Sequence, residues 1–437
     1  MDQHFRPPAR LSRRHFLAAA GAAVAGTDLL SGCGTAAPSG ATLVREWNLF
    51  SGGDGERYVA LQGTFRERTP GTALNATVLP WGPPFYTKLA IAAAGGRGPD
   101  IATMHLSRLP GFSPTTLLDP FPADLLAEYG ITPDKFLPEV WDRCVIDGQV
   151  YAVPLDTHMV VHYYNTDICA QAGLIGPDGK LLSPEGPDEL VEQLRAIKGV
   201  TGNYGASIEA EQPWRFFASL YAQSGGEMLD PSGSRVVLDL DRAAEVLEFL
   251  RRLSIDEKLM PGSSDYPATV ALFGSGAAGM SFNGEWEVST YLDAGLPFGM
   301  AQMPNVYGSR LALGDCHTYV LPKRPGRDPE TTRATVEYVS FMLASSLDWA
   351  KGGHVPAFQP VVTSAEYAAL EPQSEYAAAA DAVAFDPPGW FSGSGSTLQT
   401  VANDALGSVM TGAQRPPEAA AQLNAGLQRL VSIPSPV

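Results

Sequence analysis

Cysteine is scarce, with four in 437 residues: Cys33, Cys144, Cys169 and Cys316. None stands in a CxxC pair, which argues against a thiolate zinc site. With Cys33 set aside three remain, an odd number that allows at most one disulfide, and buried free thiols are the expected state. Positive charge is also short. Lys and Arg total 30 against 47 Asp and Glu, a net charge of −17. A chain this acidic repels nucleic acid and anionic membrane surfaces, so no nucleic-acid partner is expected. Catalytic signatures are missing as well: there is no HExxH, no GxSxG elbow and no GxxxxGK[ST] phosphate loop. The single GxGxxG, Gly274 to Gly279, follows a helix-like segment and precedes a strand-like one, the reverse of a dinucleotide site, so no cofactor is expected. The seven histidines show no ligand pair on one helix. His158 and His162 share a face of a strand-like run and read as core or rim imidazoles, and no metal is expected. Finally, no linker rich in Pro, Gly and Ser divides the chain. If it has two lobes, the backbone crosses between them more than once.

The N-terminus is informative. Arg6, Arg10, Arg13 and Arg14 precede an apolar run from Phe16 to Gly26 that is short for a membrane span. Ser12-Arg13-Arg14-His15-Phe16-Leu17 resembles a twin-arginine export signal, with Ala18 where Lys is common. Leu30-Ser31-Gly32-Cys33 resembles a lipobox. Residues 1–32 are therefore expected to be a signal peptide, Cys33 the lipidated first residue of the mature chain, and residues 33–42 a small, polar tether. The protein is expected outside the cytoplasm, on the cell membrane by its lipid alone.

Downstream, strand and helix patterns alternate. Glu46 to Phe50, Ala73 to Leu79 and Ile101 to Met104 read as strands around helices at Arg57–Arg68 and Phe85–Ala94, with Ser51 to Gly55 as a loop. Asp241 to Asp256 reads as an amphipathic helix with Ala243, Ala244, Leu247, Leu250 and Leu253 on its inner face. Two C-terminal helices break at Arg415-Pro416-Pro417. The class is α/β, with sheets flanked by helices.

Several loops at strand ends combine glycine, an aromatic ring and a carboxylate or amide. They are Phe50 to Asp54, Pro80-Trp81-Gly82, Asp156-Thr157-His158, Asn283-Gly284-Glu285-Trp286 and Pro388-Gly389-Trp390-Phe391. Carbohydrate recognition uses these residue types: rings cover the apolar faces of a pyranose, while carboxylates and amides take paired hydroxyl hydrogen bonds.

The chain resembles the extracellular solute-binding proteins of family 1, which include maltose-binding and glycerol-phosphate-binding proteins. The resemblance runs over residues 43–437. It is carried by Trp47, Thr64-Phe65 to Pro70-Gly71, Tyr86-Thr87-Lys88-Leu89, Gly98-Pro99-Asp100-Ile101 and Asp147 to Pro154 leading to Tyr163-Tyr164-Asn165. Phe273 to Met280, Asn283 to Trp286 and Gly353-His354-Val355-Pro356 complete it. It implies a two-lobed periplasmic-binding-protein fold of type II with three hinge crossings, near Val153, Val306 and Ser345. Residues 43–152 and 306–345 would form one lobe, and 153–305 and 346–437 the other. It further implies a monomer that captures a carbohydrate in the inter-lobe cleft and hands it to the permease of an ABC importer, doing no chemistry itself. The implied ligand-binding residues are Ser51, Gly52, Asp54, Asp156, His158, Asn283, Glu285, Trp286, Gly353 and His354, with Trp81, Tyr86, Trp214, Trp390 and Phe391 as further candidates. These loops hold acids and almost no Lys or Arg, which disfavours phosphate esters and leaves a neutral or amine-bearing sugar. The rival classes are a secreted lyase or glycosidase and a polyol or glycerophosphodiester importer component.

Overall fold

The computed structural model describes residues 40–435; the expected signal peptide, Cys33 and most of the tether lie outside the described residues. Strand β1 (Thr42–Asn48), helix α1 (Gly52–Arg68), β2 (Thr72–Val78), α2 (Pro83–Ala94) and β3 (Ile101–His105) follow one another, and β2 and β3 lie parallel to β1 on either side. Short β4 (Leu118–Asp119) and β5 (Ala152–Pro154) belong to the same sheet. The chain then changes sheets at one residue, Leu155. Strand β6 (Asp156–Asn165) is buried along its whole length and is the spine of a second, seven-stranded sheet. The other strands of that sheet are β7 (Tyr204–Ser207), β8 (Ala278–Gly284), β9 (Phe298–Ala301), β10 (Ala312–Asp315), β12 (Val355–Pro356) and β13 (Val383–Phe385). Between β10 and β12, β11 (His317–Pro322) returns to the first sheet, antiparallel to β3 and β5.

Each sheet has its own apolar core. The second crossing therefore lies at Cys316, ten residues past the expected Val306. The reason is that β9 and β10 both pair antiparallel with β6, which keeps the chain in the second lobe through Asp315. The third passage falls after Ser345: Trp349 packs in the first core, Ala350 and Val355 in the second. Residues 52–55, expected as loop, are the first turn of α1. Gly52 sits at φ +60 and Asp54 places a carboxylate in the positive N-terminal turn. The three described cysteines are buried and free.

The helix at Leu240–Arg251 shows how sequence sets these elements. Asp239 caps it by accepting from the amides of Asp241 and Arg242, and Ala243, Leu247 and Leu250 are buried. Its last turn, Arg252–Asp256, widens to a π-helix and keeps Leu253 inside.

One buried group makes the first lobe sensitive to pH. Glu46 of β1 is fully buried and accepts from Gln62 Nε2 at 2.6 Å, Tyr338 Oη at 3.2 Å and the Tyr58 hydroxyl. Burial raises its pKa to about 7, against those hydrogen bonds, which lower it. Between pH ~4.5 and ~7 the folded protein thus keeps a proton that the unfolded chain releases. The contribution of Glu46 to stability falls as pH rises through that window and is constant above it, a change on the order of 3 kcal/mol. Glu46→Gln keeps the shape and abolishes the titration. Chemical unfolding of both proteins at pH 4.5 and pH 8 should show the variant gaining on the parent as pH rises; parallel curves would contradict this.

Candidate functional site

The two sheets meet at Asp156, and strand register explains what gathers there. β10 pairs Asp315 with His158, β11 pairs His317 with His105, and β12 pairs Val355 with Thr157. Four imidazoles, those of His105, His158, His317 and His354, come together. His158 and His317 stack at 4.2 Å between centroids, and His105 and His354 approach them edgewise or tilted at 4.7–5.9 Å.

The Asp156 carboxylate anchors two of them, His158 and His317. Oδ1 accepts from the His317 amide at 2.9 Å and faces His158 Nδ1 at 3.1 Å; Oδ2 faces His317 Nδ1 at 2.8 Å and accepts from Trp349 Nε1 at 2.7 Å. Burial opposes ionisation, but His317, His354 and the hydrogen bonds of His158 and His317 outweigh it and hold the carboxyl well below its usual range. Burial drives His105 and His317 down from the ordinary imidazole value and His354 to about 3.

These imidazoles line one side of a cavity of about 590 Å³. From the first lobe come Ser51, Gly52 and Asp54 at the start of α1, and Trp81 before α2. From the second come Glu209, Trp214, Arg215, Tyr266, Trp286, Glu287 and Asp386. Trp81 is half-exposed. Trp286 is fixed: its indole N–H donates to Tyr266 Oη at 2.6 Å, Tyr266 donates to Glu287, and the Arg215 guanidinium lies 5.5 Å from the indole centroid. Gly284 permits this pose, since a Cβ there would collide with the Trp286 ring. Trp214 is almost wholly buried and donates to Asp386 Oδ1 at 3.0 Å.

The cavity is acidic. Arg215 is the one Lys or Arg among the described lining residues, against Asp54, Glu209, Glu287, Asp315 and Asp386. Burial raises Asp386 to about 7 and Asp54 well above its usual value, the latter with help from Asp156 and Glu287. Such carboxyls favour a proton until a cation arrives.

Of the residues expected from sequence, Ser51, Gly52, Asp54, Trp81, His158, Trp214, Trp286 and His354 line this cavity, and Asp156 stands directly behind them. Six others do not line it. Tyr86 is buried and holds His105 Nδ1 at 2.5 Å. Asn283 is buried in β8 beside a separate, small void. Glu285 is fully buried and accepts from the Met159 amide at 2.8 Å. Gly353, at φ +114, packs against the Glu285 carbonyl. Trp390 donates to the Ile433 carbonyl at 3.1 Å, and Phe391 lies in the second core. The C-terminal region reaches the cavity instead through Asp386, Ser394, Gln399 and Asn403. His317 was missed although a signal existed: Asp315-Cys316-His317 repeats the acid–x–His spacing of Asp156-Thr157-His158.

Comparison with known proteins places this geometry. The chain aligns at 27% identity over 229 residues with the maltotriose-binding protein of Pyrococcus abyssi, covering 51% of this chain and 46% of that one. It aligns at 29% over 168 residues with the arabinooligosaccharide-binding protein of Halalkalibacterium halodurans, covering 38% and 35%. The aligned part spans about half the length or less of these curated relatives. Among solved structures, the GacH receptor of Streptomyces glaucescens, determined unliganded and with acarbose, superposes with a TM-score of 0.76 at 20% identity over 90% of this chain and 98% of that one. The maltotriose-bound maltose/maltodextrin-binding domain of Bdellovibrio bacteriovorus gives 0.71 at 20% identity over 89% and 99%. At such identities the likeness establishes the shared two-lobed fold. The family model for bacterial extracellular solute-binding proteins matches residues 71–373, most of the described chain, and the protein belongs to that family.

Proposed function

We propose that this protein is the substrate-binding component of an ABC importer, capturing an oligosaccharide in the cleft between its lobes and delivering it to the permease, with a preference for sugars that carry an amine. One observation carries the reading: a cavity of about 590 Å³ at the junction of the two sheets, lined by Trp81 of the first lobe, Trp214 and Trp286 of the second, and a ring of carboxyls with one guanidinium. Indole faces suit pyranose rings, and paired acids suit hydroxyls. The near absence of fixed cations disfavours phosphate esters, and acids such as partly buried Asp54 and buried Asp386, both poised to take a proton, gain most from an ammonium group. The single-residue strand switches at Leu155 and Cys316 suit hinge closure around ligand. Export through residues 1–32 and anchorage by lipidated Cys33 belong to the same reading, since a binding component must wait beside its permease.

Thermal unfolding of the purified protein against neutral, amino, acidic and phosphorylated sugars tests it. A ligand that binds only the folded state adds about 2.7 kcal/mol at a hundredfold excess over its Kd. The largest rise in midpoint is expected with amine-bearing oligosaccharides and none with phosphorylated ones. No shift with any sugar, or release of cleaved products, would overturn the proposal.

A further inference from the structure

The histidine cluster has more nitrogen than sugar recognition requires. His158, His317 and His354 arrive from three different hinge segments, and one ligating atom of each, with a carboxylate oxygen of Asp156, all lie within 4.8 Å of one another. The Asp156 oxygens face the Nδ1 atoms of both His158 and His317. When Nδ1–H of an imidazole donates to a carboxylate, the lone pair is left on Nε2. Carboxylates stand in this way behind the histidines of metal sites, fixing tautomer and ring orientation. His354 is the independent sign. It is fully buried, it lines the cavity, and among the described residues neither of its ring nitrogens has a hydrogen-bond partner. Buried imidazole nitrogens are ordinarily satisfied. The nearest candidate, Asp54 Oδ2, stands 3.6 Å from His354 Nε2, outside hydrogen-bond range.

We infer that His158, His317 and His354 bind a divalent first-row transition ion such as Zn²⁺ at the hinge end of the cleft, with Asp156 as the positioning carboxylate and a coordination position open to the cavity. Three imidazoles select such an ion over Ca²⁺ or Mg²⁺, which take oxygen shells. His105 stays outside the set because it is not among the residues whose ligating atoms gather within 4.8 Å. With ligands from all three crossings, the ion joins the segments that move in closure, and the open position can take water or a ligand hydroxyl. This inference stands apart from the identity of the sugar.

The test uses the chelator-treated full chain with Co²⁺ chloride alone and no sugar, followed by Zn²⁺ competition. The expected result is one ion per chain, the intense visible absorption of a four-coordinate Co²⁺ site with nitrogen ligands, and its loss on adding Zn²⁺. His317→Gln and His354→Gln should each weaken binding at least 100-fold. His162→Gln, altering an imidazole stacked on Phe282 in the second core, should leave it unchanged. Circular dichroism establishes which variants are folded; if one is not, the other and the parent spectrum decide. No binding tighter than about 1 mM, or binding undiminished in a folded His317→Gln or His354→Gln, overturns the inference. Because sugar is absent, a protein that binds sugars and no metal loses this inference but keeps the proposed function, and the converse result does the reverse.

Discussion

Asp156→Ala is expected to destabilise the protein by about 4 kcal/mol and to split its unfolding into two transitions. The side chain is fully buried and meets the first crossing directly, the second through the amide and ring of His317, and the segment before the third through Trp349 Nε1. Removing it strands several buried donors at once. Breaking a buried, hydrogen-bonded charge cluster from one side costs about 3–5 kcal/mol. Cooperativity should suffer too, because each lobe has a separate core and this carboxylate is where all three connections meet. Asp156→Asn, which keeps one acceptor oxygen but sets an amide among donors, should recover less than half of the loss. Urea unfolding followed by fluorescence and by far-UV dichroism measures both effects. A change under about 0.5 kcal/mol with coincident transitions would mean that the hinge does not depend on this residue.

Much of this was legible in the chain. β1, β2 and β3 and the helices between them follow local periodicity and are bounded by Pro70-Gly71 and Gly95-Gly96, so the first half of the first lobe could be read off. The second crossing could not, because β9 and β10 are four residues each and take their strand character from pairing with β6, far away in sequence. The same limit applies to the site. Trp81 and Trp286 sit in Gly-bounded turns that sequence marks, yet Trp390 and Phe391 sit in an equally marked turn and pack elsewhere. Residue type names a ring; only the fold decides whether its face is wet. The histidines are the sharpest case. Spacing along one element gave no metal pair, since His158, His317 and His354 meet only because β6, β11 and the turn into β12 converge. The twice-repeated acid–x–His was the one local trace.

Trp286→Ala should weaken ligand binding by roughly 100-fold, about 3 kcal/mol, while leaving the fold intact. The ring is only partly buried and is held from its edge: Tyr266 takes the indole N–H, Arg215 lies against the ring, and His158 meets it at 5.9 Å between centroids. Side-chain entropy is therefore spent before ligand arrives, and truncation loses both contact area and preorganisation. Trp286→Phe keeps a ring but not its tether and should fall in between. Gly284→Ala separates position from chemistry. The added methyl collides with the indole and must displace it, so affinity should fall although every ligand-facing side chain remains. Calorimetry with the best sugar from the thermal panel reads all three. If Gly284→Ala binds as the parent does while Trp286→Ala does not, the ring acts through bulk alone. If Trp286→Ala binds normally, the sugar does not rest on this wall of the cleft, and Trp81, the other cavity-lining indole open to solvent, must carry the stacking.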